Sequence, residues 1–130
     1  MKNLVLVTLL TAVTVGAAFE WHHSAQRDSL FVHSVYFWLK DDVTSEQHNE
    51  FVEVLRGLEN IKSVEAIEVG EPAGTPRDIV DNSYDVALLV YFKDRAGHDL
   101  YQVDTIHTQA ITVFEDWIKE IVIYDAICYR

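Results

Sequence analysis

Four side chains in this sequence have the types and spacing for acid–base chemistry. His33 stands in the middle of an apolar, alternating run from Phe31 to Leu39. Tyr101 and His107 are six positions apart, with Asp104 between them, and Asp125 stands in a second apolar run near the C-terminus. A carboxylate beside an imidazole orients the ring and stabilises its protonated form, the usual preparation for a general base. A tyrosine hydroxyl can donate to a carbonyl oxygen on which negative charge develops. Each residue also has a plain structural role open to it: a satisfied core histidine, a packing tyrosine, a helix-start histidine, a locally paired strand carboxylate. Spacing alone does not decide between them.

Metal chemistry has thinner support. His22 and His23 are adjacent imidazoles in a segment with little periodicity and no third ligand nearby. Asp78, Asp81 and Asp85 offer oxygens, but at a spacing that matches no calcium loop. Cys128 is the only cysteine, so neither an internal disulfide nor a thiolate cluster is available. The expectation is no metal and no cofactor.

The elements that must hold these residues read as a βαββαβ order. Phe31–Leu39, rich in β-branched and aromatic residues, predicts a first strand. Thr44 and Gln47 form a capping-box pair ahead of a helix with Phe51, Val54, Leu55 and Leu58 on one side. Lys62–Val69 is the second predicted strand, and residues 70–84, with both prolines, form a long loop of the kind that often borders a site. Asp85–Lys93 predicts strand three, Asp94–Val103 a short helix, and Ile106–Ile118 a longer one with Ile106, Ala110, Val113, Phe114 and Trp117 on one stripe. Glu120–Tyr129 predicts strand four. In the split arrangement, with spatial order 4-1-3-2, strands one and four are adjacent, and His33 and Asp125 come near each other.

Strands one, three and four are apolar on both faces, whereas a sheet with helices on one side needs only one apolar face. The uncovered face, with several of Tyr36, Trp38, Leu89, Tyr91, Val122 and Tyr124 or with the opposite sets, exceeds what a soluble monomer tolerates. Hiding ~800 Å² of it supplies roughly 20 kcal/mol gross at ~25 cal/mol per Å², and association takes back much of that. A symmetric homodimer, two sheets packed face to face around a barrel-like centre, satisfies this constraint.

The N-terminal segment reads differently. Lys2 is followed by an apolar run from Leu4 to Val15 and then by Gly16-Ala17-Ala18, the pattern of a secretory signal peptide. The run is shorter than the ~20 residues of a membrane span. Residues 1–18 are therefore expected to be a leader directing the protein to the periplasm or outside the cell, an uncleaved anchor being the alternative. Residues 19–29 are read as a linker and 30–129 as the domain. The 130-residue chain has 10 Lys+Arg against 21 Asp+Glu, a net charge of −11. That balance excludes nucleic acid, which needs a basic surface, and stable association with anionic membranes. At 49% hydrophobic and 24% charged, the composition is that of a globular domain.

From Leu30 to Cys128 the sequence resembles the stress-responsive α/β-barrel family, Dabb. The resemblance rests on His33, Val35, Phe37, Leu39 and Lys40, then on Phe51, Leu55 and Leu58. It continues through Phe92-Lys93-Asp94, Leu100-Tyr101, Asp104 and His107, and the ending Trp117 to Asp125. It implies a ferredoxin-like α+β sandwich with a four-stranded antiparallel sheet, forming a dimeric α+β barrel with a stress-related role. One plant branch of the family resembles a cofactor-free polyketide cyclase. By that likeness His107 would act as base and Tyr101 assist it, with His33 and Asp125 lining the same pocket. Phe37, Leu55, Phe114 and Trp117 would supply apolar contacts to a ligand. The chain departs from that branch at Leu55, where the branch has a tyrosine, and at Asp104-Thr105, where His-Pro is usual. Asp125 also lies one residue further from Trp117.

Three functions remain open on these residues. A dimer binding a small apolar or aromatic molecule without turnover needs the pocket but not His107. A cofactor-free cyclase, isomerase or lyase needs His107 with an accessible face. A purely structural protein needs neither and predicts a filled interior.

Overall fold

A computed structural model of the chain describes residues 29–129; the expected leader, most of the linker and the His22-His23 pair lie outside the described residues. The elements follow as β1 (Ser29–Leu39), α1 (Ser45–Gly57), β2 (Ala66–Gly70), β3 (Val86–Phe92), α2 (Arg95–Val103), α3 (Thr105–Phe114) and β4 (Ile118–Tyr129). The four strands form one sheet in the order β2-β3-β1-β4, with every pairing antiparallel. This is the α+β sandwich and the strand order the sequence predicts. Among the described residues, no helix is long and apolar enough to cross a membrane.

Alternation along β1 divides the sheet into two faces. Phe31, Val35, Phe37 and Leu39 join Val86, Leu88, Val90 and Phe92 of β3 in the core beneath the helices. The capping box starts α1 as expected: Thr44 Oγ1 accepts from Gln47 N at 3.2 Å, and Gln47 Oε1 accepts from Thr44 N at 2.9 Å. Helix α1 then buries Phe51 and Leu55 completely. The Phe51 ring meets Phe37 and Phe114 edge to face, at 5.1 and 5.0 Å between centroids.

Asp104 serves both C-terminal helices. It is the residue that ends α2 and the cap that starts α3, where its Oδ1 accepts from Ile106 N at 2.8 Å. Its extended backbone bends the chain between the two helices. The carboxylate that lies between Tyr101 and His107 in sequence is thus a helix cap.

The largest boundary differences from the sequence reading are at β2 and α3. Strand β2 begins at Ala66 rather than Lys62, because the chain first turns at Ile61, with Val64 N donating to Ile61 O at 2.9 Å. Helix α3 ends at Phe114; residues 115–117 tighten into a 3₁₀ turn and Ile118 already belongs to β4. The Trp117 carbonyl accepts from Lys40 N at 2.9 Å, which ties this turn to the end of β1. The predicted apolar stripe of that helix is also narrower than expected. Ala110 and Phe114 are buried, but Ile106 and Val113 are exposed.

The face away from the helices carries Tyr36, Trp38, Leu89, Tyr91 and Val122, all part-exposed, and Tyr124, which is 63% exposed. Tyr36 and Trp38 pack edge to face on Tyr84 of the long loop, at 5.0 and 6.4 Å.

Replacing Phe51 by Ala removes the ring shared by Phe37 and Phe114. Chemical denaturation should show a loss of about 3–5 kcal/mol; a loss under about 1 kcal/mol would mean that this packing is not what joins α1 and α3 to the sheet.

Candidate functional site

The β1–β4 register sets His33 directly opposite Asp125. Facing residues of an antiparallel pair lie on the same side of the sheet, and here the two side chains meet beneath the helices. His33 Nδ1 is 2.7 Å from Asp125 Oδ1. A carboxylate at that distance accepts, so Nδ1 carries the hydrogen and Nε2 keeps its lone pair. His33 is 5% exposed, while the Asp125 side chain on the edge strand is half-open to solvent.

The joint at Asp104 brings the second pair together. Tyr101 is 1% exposed, on the inner side of α2, and its ring centroid is 4.3 Å from that of His107 in the first turn of α3. His107 Nδ1 donates to the Gln102 carbonyl at 3.3 Å. A carbonyl can only accept, so His107 also presents Nε2 as its free nitrogen. The His33 and Tyr101 rings are 6.1 Å apart, linking the two pairs.

Between the helices and the sheet lies a cavity of about 160 Å³. His33, Tyr101, Gln102 and His107 contribute its polar lining, and its apolar wall includes Phe37, Leu55, Leu88 and Phe114. Of the apolar contacts expected from sequence, Phe37, Leu55 and Phe114 line it. Trp117 does not: the 3₁₀ turn carries it out of the α3 stripe, and it packs part-buried against the core instead. Asp125 does not line the cavity either, but stands behind His33. Asp85, weighed for a cation, accepts from Leu39 N at 2.7 Å, and Asp81 accepts from Ser83 N at 2.8 Å, so both bind backbone.

Sequence reasoning missed Gln102, Ile111, Ile121 and Ile123 in the lining, and His98 beside it. His98 stacks on Phe31 at 4.7 Å and lies 5.0 Å from the His33 ring. Its signal was present: it stands three residues before Tyr101, on the same side of a short helix.

Burial governs the protonation of these groups. It lowers the His33 pKa below the ordinary 6.5, outweighing the hydrogen bond and charge of Asp125, which raise it; the nearby His98 adds to the lowering. Burial likewise lowers His107, against the opposing Gln102 hydrogen bond and Asp104 charge. Burial raises Tyr101 above its ordinary 10.0, so its hydroxyl remains a donor. At neutral pH the arrangement is two neutral imidazoles with free Nε2 atoms and one phenol with its proton. It can accept a proton and donate to an oxygen in the same small space.

An antiparallel sheet in this order under one layer of helices defines a ferredoxin-like α+β domain, here with a histidine–carboxylate pair beside an internal cavity. The chain belongs to the Dabb family: the stress responsive A/B barrel domain matches residues 31–128. In structure it is similar to the hydroxynitrile lyase of Passiflora edulis, at 15% identity over 79% of this chain and 96% of that one, with a TM-score of 0.71. It is similar too to a dimeric ferredoxin-like protein of unknown function from Thermobifida fusca (20% identity, 75% and 90% covered, TM-score 0.65). A Dabb-family protein from Mesorhizobium loti has a TM-score of 0.62 at 20% identity, covering 75% of this chain and 95% of that one. Comparison of the sequence with curated proteins gives no match.

A histidine whose folded pKa lies below its unfolded value binds fewer protons when folded. Its contribution to stability is complete above the ordinary 6.5 and is lost as pH falls from there through the folded pKa. The thermal midpoint should therefore begin to fall just below pH 6.5, and His33→Phe should flatten part of that slope. A midpoint that rises on acidification through this range would contradict the burial-driven shift.

Proposed function

We propose that this protein is a homodimer in which each subunit binds a small apolar or aromatic molecule between helices and sheet. The cavity carries this reading. At about 160 Å³ it has room for a single ring with a small substituent; an apolar cavity of about 150 Å³ is enough for benzene. Its polar lining of His33, Tyr101, Gln102 and His107 suits a ligand bearing a carbonyl or hydroxyl group. A purely structural role would leave no such space.

Dimerisation is supported by the aromatic outer face of the sheet and by the Thermobifida fusca relative, which is described as dimeric. Export through the leader at residues 1–18 belongs to the same proposal, resting on the Leu4–Val15 run and the small residues after it. A stress-related role rests only on the family's description.

The His33–Asp125 hydrogen bond favours a second reading, proton transfer without a cofactor. In it His107 Nε2 removes a proton next to a carbonyl, Tyr101 donates to the enolate oxygen, and Asp125 holds His33 in one tautomer. That a structural relative is a hydroxynitrile lyase supports an enzyme role for the fold.

Calorimetry of the purified protein with monocyclic aromatic aldehydes, ketones and phenols tests both readings. Binding of one class is expected, weakened about tenfold or more by Ile111→Trp, which fills the cavity from its helix side. His107→Ala should leave the fold intact, and abolish turnover of any ligand that reacts. No binding, or binding indifferent to Ile111→Trp, contradicts the pocket. Sedimentation equilibrium should give a dimer at micromolar concentration; a monomer there contradicts the shared sheet face.

A further inference from the structure

His33 and Asp125 are joined on their solvent-facing flank by a third group with ligand chemistry. His98 of α2 offers an imidazole nitrogen, and one ligand atom from each of the three residues lies within 4.8 Å of the other two. This grouping comes from three separate elements, β1, α2 and β4. We infer that His33, His98 and Asp125 form a binding site for a divalent transition-metal ion, zinc being the best fit.

The donor set favours that class. Two imidazoles and one carboxylate suit zinc or iron(II), whereas calcium and magnesium take oxygen ligands. Ligands about 2.0–2.2 Å from a tetrahedral zinc stand roughly 3.3–3.5 Å from one another. The 2.7 Å between His33 Nδ1 and Asp125 Oδ1 and the 4.8 Å outer limit bracket that spacing. Rotation of side chains closes the difference, and Asp125, on an edge strand and half-open to solvent, has the freedom to rotate.

The surroundings hold the imidazoles in place. His98 stacks on Phe31 with ring planes 26° apart, and the Gln102 side-chain NH2 donates to its Nε2 at 2.9 Å. A partner on the second nitrogen is what fixes the ring of a ligating histidine. His98 Nδ1 makes no hydrogen bond among the described residues; the Asp99 carboxylate is 3.6 Å away and exposed. With the Gln102 amide turned so that its oxygen accepts from Nε2–H, Nδ1 is the nitrogen free to coordinate. The near carboxylates favour a cation here, Asp99 beside His98 and Asp125 beside His33.

The site goes beyond the ligand pocket but shares His33 with it. The metal takes the place of the hydrogen on His33 Nδ1, and that hydrogen moves to Nε2, so the imidazole stays neutral and no net proton is released there. With metal bound, His33 changes from a proton acceptor on Nε2 to a donor. Loading the site would therefore alter which ligands the adjoining cavity accepts.

Zinc titration of the purified full chain, in competition with a chelating dye, tests the inference. One zinc per chain should bind, with affinity weakened at least roughly 100-fold by His98→Phe and by Asp125→Asn. His98→Phe keeps the ring that stacks on Phe31, and thermal melting checks that each variant folds. His22→Ala with His23→Ala should leave this binding unchanged. No zinc bound at micromolar concentration, binding indifferent to His98→Phe, or binding lost only with His22 and His23 would overturn the site. His98 does not line the cavity, so His98→Phe should still bind the aromatic ligands in the absence of metal. A failed zinc titration with intact ligand binding therefore separates the two readings.

Discussion

The register between β1 and β4 is the constraint on which this site depends. It pairs Phe31 with Ile127, Val35 with Ile123 and Phe37 with Ile121, so the apolar residues of β4 share the helix side with those of β1. The same parity sets Asp125 against His33. Slipping the strand by one residue would turn every β4 side chain to the other face. Asp125 would then lie among the aromatic residues of the outer face, and His33 would be a buried imidazole without a partner. Orientation of the ring, the hydrogen on Nδ1 and the free Nε2 all follow from this one pairing.

The second constraint is local. Tyr101 and His107 are six residues apart, more than one turn of a continuous helix would bring together on one side. Asp104 ends one helix and caps the next, and the break lets the rings approach to 4.3 Å. Asp104-Thr105 stand where the resemblance to the family implies His-Pro. The capping carboxylate makes the break without a proline ring. Burial then keeps the His33 and His107 imidazoles neutral and the Tyr101 phenol protonated. A cavity lined by such groups offers shape and hydrogen bonds rather than charge.

Much of the fold was legible because strand alternation and helix caps are local signals. Alternation in β1 and β3 assigned their inner faces, and the Thr44–Gln47 capping box marked the start of α1. His33 and Asp125 were expected to be neighbours from strand order alone, and they are. What could not be read was set by tertiary contact. Trp117 continued the α3 periodicity, yet the Lys40–Trp117 backbone bond pulls that turn into the approach to β4. Ile121 and Ile123 reach the cavity because β4 is an edge strand that the helices only partly cover. The spacing to Tyr101 put His98 on the inner side of α2, but not against β1, which only the tertiary fold decides. Its neighbours Phe31 and His33 are more than 60 residues away in sequence.

Nitrogen-detected NMR of the histidine side chains, on metal-free protein at neutral pH, addresses the His33–Asp125 pairing most directly. The expected spectrum has His33 hydrogen-bonded and protonated at Nδ1, with an unprotonated Nε2, and loses that state in Asp125→Asn. A His33 ring protonated at Nε2 alone, or one whose spectrum is the same in Asp125→Asn, would contradict the pairing and with it the site built around it.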